Sequence, residues 1–147
     1  MITLKRILLE NEEPTKTLDD VRPLVPQLIA AAQQEYDVWD QSGEDGDPEL
    51  GFGGICQNIA EAMSGILSEH GIDSTTVDNG GMGDQHVWTV FRVVEGIYEI
   101  DIPPHIYERG SGYVWKKIPG VTFSTDHLHI SKFPAGISWE EILISYQ

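Results

Sequence analysis

The sequence predicts an α+β fold in a single domain spanning residues 1–147. Three observations carry this expectation. Helical periodicity fills the first half of the chain. Runs rich in β-branched and aromatic residues, broken by turn signals, fill the second half. A length of 147 residues suits one hydrophobic core.

The elements follow in order. Residues 1–16 read as a short amphipathic N-terminal segment with a polar turn at Asn11-Glu12-Glu13-Pro14. Thr17 is placed to cap a helix over about 18–39, with Pro23 and Pro26 early, where missing N–H groups matter least. Leu24, Leu28, Ala31, Ala32, Glu35 and Val38 fall roughly on one stripe of that helix. Residues 40–54 hold Asp40, Glu44, Asp45, Asp47 and Glu49 followed by Gly51, Gly53 and Gly54, a loop composition. A second helix is expected over about 55–69, with Ile59, Ala62, Met63, Ile66 and Leu67 at helical spacing and Gly71 just past its end.

Residues 73–77 suit a short strand, and Asp78 to Asp84 a loop. Strands are expected at 87–94 and 97–102, joined by a tight turn at Glu95-Gly96 and ended by Pro103-Pro104. Further strands are expected at 112–118 and 121–130. Ser138-Trp139-Glu140-Glu141 matches a capping box opening a short terminal helix.

Composition excludes several classes. The formal net charge is −15, with 24 acidic residues against 9 basic ones. Nucleic-acid binding needs clustered Lys and Arg, and anionic membranes repel such a surface, so neither is an expected partner. Neutral or basic substrates suit it better. The single cysteine, Cys56, makes no internal disulfide and excludes a Cys-rich zinc site. The apolar run near the start is only Ile7 to Leu9, too short for a signal-peptide core. No stretch approaches the roughly 18 apolar residues of a membrane span. A cytoplasmic location, in a bacterium or in a cell carrying a virus, is the expectation.

The chemistry gathers around Cys56, in Gly53-Gly54-Ile55-Cys56-Gln57-Asn58. A cysteine at a helix start meets unpaired backbone N–H groups and the positive end of the helix dipole, which favour the reactive thiolate. His86 opens the next strand-like run and Asp101 closes the one after. An imidazole beside the thiol would stabilise the thiolate and shuttle a proton, and a carboxylate behind it would set its tautomer. Gly53 and Gly54 would admit a substrate backbone, and the Cys56 N–H would serve as an oxyanion donor. Each residue also has a plain structural reading: Cys56 as core filler, His86 as a strand-end residue, Asp101 as a turn starter.

Gly54-Ile55-Cys56, His86-Val87-Trp88 and Tyr98-Glu99-Ile100-Asp101, in that order, resemble the transglutaminase-like branch of the papain-like cysteine enzymes. The Gly-Gly-Ile-Cys run is also similar to that of arylamine N-acetyltransferases, which share the core. The resemblance covers about residues 50–104. It implies a papain-like core in which a Cys-bearing helix packs on an antiparallel sheet. It also implies Cys56 as nucleophile, His86 as general base and Asp101 as the orienting residue. Trp88 takes the place of the aromatic residue frequent two positions after the family histidine and serves as core or pocket wall. Trp39 and Gln41 are the nearest upstream candidates for the family's oxyanion donor, alongside the backbone at Gly54 and Ile55.

The implied chemistry is attack on an amide or related acyl group of a peptide, protein or small substrate through a thioacyl-enzyme, without a cofactor. Hydrolysis by a peptidase, amidase or deamidase comes first, and acyl transfer second. A non-catalytic interaction protein that retains the fold is the competing class.

One joint in this scheme is strained. A turn at Glu95-Gly96 pairs Val94 with Ile97, hence Val90 with Asp101 and His86 with His105. Asp101 and His86 then share a face but stand four residues apart, about 13 Å along a strand. A bulge, twist or wider turn must close the gap, or else Asp84 or a backbone carbonyl orients His86. No metal is expected. His127 and His129 would share one face of a strand, with only Asp126 or His105 as a third ligand for zinc. The acidic loop 40–49 lacks the calcium-loop ligand spacing.

Overall fold

The computed structural model describes residues 13–39, 55–79, 86–111, 114–134 and 136–145. The chain is mixed α+β, with helices packed on a four-stranded antiparallel sheet. Helix α1 (Leu18–Val21) leads through a 3-10 turn, Arg22–Leu24, into α2 (Val25–Val38). Thr17 caps α1 through a capping box with Asp20. The single helix expected over 18–39 is therefore divided, and Pro23 and Pro26 mark the division: each occupies the first turns of a new element, where its missing N–H leaves no bond unmade. The buried stripe runs through Leu28, Ala32 and Tyr36, whereas Val38 is exposed. Tyr36 earns that place with its hydroxyl, which donates to the Ile118 carbonyl and accepts the Val121 N–H.

Helix α3 (Cys56–Glu69) buries Cys56, Ile59, Ala60, Met63 and Leu67. It stops at a left-handed glycine, Gly71, with φ +78°. The Gly71 N–H reaches the Ser68 carbonyl and the Ile72 N–H reaches the Leu67 carbonyl, satisfying the last turn.

The main sheet has the order β1 (Asp73–Asp78), β2 (Val87–Val93), β3 (Gly96–Asp101), β6 (His129–Lys132). Alternation along β2 and β3 divides its two faces. Phe91, Val93 and Ile100 join Leu28, Ile59, Met63 and Leu67 in the larger core beneath α2 and α3. The buried Thr89 hydroxyl donates to the Ala60 carbonyl at 2.7 Å and fastens α3 to this face. Val77 and Val90 face the other way, into a smaller cluster closed by Trp139 and Ile142 of the terminal helix α4 (Trp139–Ser145). The Ser138 hydroxyl accepts the Glu141 N–H at the start of α4, as the capping pattern predicts.

A separate ribbon pairs β4 (Glu108–Ser111) with β5 (Val114–Lys117). Strand β4 has no counterpart among the sequence expectations. The strand expected over 121–130 is instead an extended segment, a 3-10 turn at Thr125–His127, and β6. His127 and His129 thus do not share a strand face. The His127 ring accepts the Ser124 N–H at 3.1 Å and closes its own turn.

The β2–β3 turn also differs from expectation. Val93 pairs with Gly96, so the two-residue loop is Val94-Glu95 and the register moves by two residues. Gly96 has φ +134°, and the loop is held from outside: the Val94 N–H donates to the Lys16 carbonyl and the Leu18 N–H to the Glu95 carboxylate. Gly96 begins the strand rather than filling the turn.

Candidate functional site

The observed register decides the site. Thr89 pairs with Ile100, which places Asp101 opposite Trp88 and one same-face step from His86. The expected four-residue offset becomes two, about 7 Å along the strand, which is diagonal-neighbour spacing for side chains on one face. His86 Nε2 donates to Asp101 Oδ2 at 2.7 Å. No bulge is required, and the alternatives that assigned this task to Asp84 or a carbonyl are superseded by the contact itself. Asp84 lies outside the described residues.

Trp88 sets the imidazole plane. Its ring stacks on His86 with centroids 5.5 Å apart and planes 20° apart. Its indole N–H donates to Glu99 Oε2 at 3.1 Å, so the stacking ring is itself held. Asp101 therefore fixes the His86 tautomer and Trp88 its tilt.

With Nε2–H committed to Asp101, Nδ1 is the ring atom that gains and loses the titrating proton. It is buried and has no hydrogen-bond partner among the described residues. Cys56, at the first residue of α3 and 4% exposed, is near enough for its thiol to influence the ring. Burial acts to lower the His86 pKa, but hydrogen bonding to Asp101 and to the Cys56 thiol, reinforced by their charges, raises it from 6.5 to about 9. The imidazolium is thus the stable form at neutral pH. The Cys56 thiol and the His86 imidazole are therefore neighbours at the head of α3.

The open face of the sheet beyond α4 holds a cavity of about 300 Å³ lined by His86, Trp88, Glu99, Asp101, His129 and Ser131. Trp88 is therefore both a wall of this cavity and a support of His86. Ile55 is the N-cap of α3 and is buried. Trp39 ends α2 and packs against the larger core, with its carbonyl accepting Lys117 Nζ at 2.8 Å. Gly53, Gly54 and Gln41 lie outside the described residues, as does the acidic loop weighed for calcium. Among the described residues, no group of three His, Cys, Asp or Glu side chains is placed to hold a metal ion. No helix there is long and apolar enough to cross a membrane.

Two residues at the site were not singled out from sequence: Tyr107 and Glu108. Both are nearly inaccessible, at 1% and 3% exposed. Glu108 accepts the Ile55 N–H and feels the charge of His86, and burial raises its pKa from 4.5 to about 7 against both influences. Burial pushes the Tyr107 phenol well above its ordinary pKa, assisted by the charges of Glu108, Cys56 and Asp101. Nothing in the local sequence marks Glu108, because charged residues are rarely buried and its strand was not foreseen. In comparisons with family models, curated proteins and solved structures, no match to this chain was found.

Proposed function

We propose that this protein is a cysteine-dependent acyl-transfer enzyme with a papain-like, transglutaminase-like core. Cys56 is the nucleophile, His86 the general acid and base, and Asp101 the residue that orients and charges His86. The observation that carries the reading is the Nε2–H to Asp101 bond at 2.7 Å, which leaves the buried Nδ1 as the atom that serves the thiol.

The steps follow from that arrangement. The Cys56 proton passes to Nδ1, and the thiolate attacks the carbonyl carbon of an amide. A C–S bond forms, and the oxyanion is met by the Cys56 backbone N–H at the head of α3. Imidazolium returns the proton to the departing amine as the C–N bond breaks, leaving a thioacyl-enzyme. Water, deprotonated by Nδ1, then releases the acid and restores the thiol. A second amine in place of water would give acyl transfer, and hydrolysis is the leading version. The cavity beside Trp88 adjoins His86 and Asp101 but is not lined by Cys56, so it does not by itself locate the substrate.

Cys56 burial favours one competing reading, a packed core thiol in a protein that only binds a partner. Iodoacetamide at pH 6 separates the two. An ordinary thiol is well below 1% ionised there, so an imidazolium-paired Cys56 should alkylate on the order of tenfold faster or more, and His86→Ala should abolish the advantage. Labelling of the folded protein no faster than free thiol would overturn the enzymatic reading.

A further inference from the structure

Glu108 is a charged residue where the fold has least reason to put one. Its side chain is shielded from solvent at the start of β4, directly beneath the head of α3. One function of the carboxyl is plain: it accepts the Ile55 N–H, a donor left unpaired by the helix geometry. A glutamine at the third position of the helix would meet that need without burying a charge. The second carboxyl oxygen, Oε2, is buried and has no hydrogen-bond partner among the described residues. Among the described residues, the buried side-chain atoms left without a partner are this oxygen and His86 Nδ1, and both belong to one cluster.

The groups around Glu108 define its electrostatics. From the start of β2 comes His86, whose charge attracts it. Tyr107, its chain neighbour, feels Glu108 together with Cys56 of α3 and Asp101 of β3. Across the ribbon, Lys117 is its paired residue, with an ammonium that donates to the Trp39 carbonyl and lies 4.4 Å from the Tyr36 ring centroid. Of these groups, His86 is the one whose positive charge favours the Glu108 carboxylate. Because Oε2 is out of reach of solvent, Glu108 acts through its neighbours and not on a substrate.

We propose that Glu108 is a positioning residue for the Cys56–His86 pair: its carboxyl ties the helix head that carries the thiol to the β4–β5 ribbon, and its charge is coupled to that of His86. Ionised Glu108 holds the proton on His86, and neutral Glu108 releases that hold. This proposal rests on the reading of Cys56 and His86 as a reacting pair. A carboxyl that titrates near neutrality, to which burial has raised it, makes the coupling active in the range where the pair would work.

The test reads His86 directly and needs no substrate. Ring resonances of the five histidines are followed by NMR from pH 5 to 10, with His86 assigned by its loss in His86→Asn. Glu108→Gln keeps an oxygen for the Ile55 N–H and removes the charge, so it should lower the His86 titration midpoint on the order of one pH unit with the fold intact. An unchanged midpoint in a folded Glu108→Gln protein would overturn the coupling and leave a simple cap. Should that variant not fold, carboxyl-labelled wild type decides. A glutamate titrating near 7 in step with a His86 shift supports the proposal, and all glutamates titrating near 4.5 overturn it. Iodoacetamide labelling of the wild type separates the two levels. An inert Cys56 with a shifted His86 removes the enzymatic reading and keeps the coupling. A reactive Cys56 with an unshifted His86 does the reverse.

Discussion

Replacing Asp101 by Asn tests the centre of the site with almost no change of shape. The amide oxygen can still accept the Nε2 proton, so the 2.7 Å contact survives in outline while the charge is lost. Wild-type His86 titrates at about 9 against an ordinary 6.5. At about 1.4 kcal/mol per pH unit, that displacement is worth about 3.5 kcal/mol, with Asp101 the largest of the causes that raise it. His86 is mostly shielded, with its side chain 21% exposed, so solvent screening removes only a minor part. The folded pKa is raised, so this stabilisation is present in full below about pH 6.5 and is lost as pH rises through about 9.

Asp101→Asn should therefore destabilise the fold by roughly 2–3 kcal/mol at pH 6 and by much less at pH 10, where His86 is neutral in both proteins. Urea unfolding at the two pH values measures the difference, and histidine NMR should show the His86 midpoint falling below 7. Alkylation of Cys56 at pH 6 should slow with it. Equal destabilisation at both pH values, or a His86 midpoint still near 9, would refute the argument that Asp101 sets the charge of His86.

Other outcomes follow from single contacts. Glu108 also has a raised folded pKa, so its stabilising contribution is complete below about pH 4.5 and is lost as pH rises through about 7. Urea midpoints of the wild type should therefore fall between pH 5 and pH 8, and Glu108→Gln should flatten that slope. Thr89→Val keeps the side-chain shape but removes the 2.7 Å bond to the Ala60 carbonyl, and should cost about 1–2 kcal/mol in the same measurement. Gly71→Ala forces a side chain into φ +78°, where its Cβ would meet Lys16 Cε at 3.3 Å, and should cost about 1–2 kcal/mol.

The parts of this structure legible in sequence are those fixed by local patterns. Cys56 opens a helix because apolar residues recur behind it and a left-handed glycine stops it, and both signals are local. Thr17 and Ser138 are readable for the same reason. The β2–β3 register departs from the local turn signal because the loop is held by partners distant in sequence. Lys16 and Leu18 hold Val94 and Glu95 from outside, and no two-residue turn rule contains them. The 121–130 segment resembles a strand in composition, yet Ser124 and His127 cap each other into a 3-10 turn. Glu108 was illegible for a third reason: its importance lies wholly in burial, which depends on a ribbon that pairs Glu108 with Lys117.

These three cases bear on how the site is built. Each of its polar side chains is held by an element that folds for its own reasons, and the site lies where those elements end. Cys56 is the first residue of α3, His86 precedes β2, Asp101 ends β3, and Glu108 begins β4. Element ends leave backbone donors unsatisfied and side chains free of ladder geometry, so charges can gather there at least cost. The hairpin loop lies at the opposite end of β2 and β3, yet it fixes which residues meet at the site. Moving the loop one position towards the C-terminus, to Glu95-Gly96, would separate Asp101 from His86 by a further two residues, about 7 Å, and the imidazole would lose its partner. The external clamps on Val94 and Glu95 thus act on the site through register alone, from the far end of the sheet.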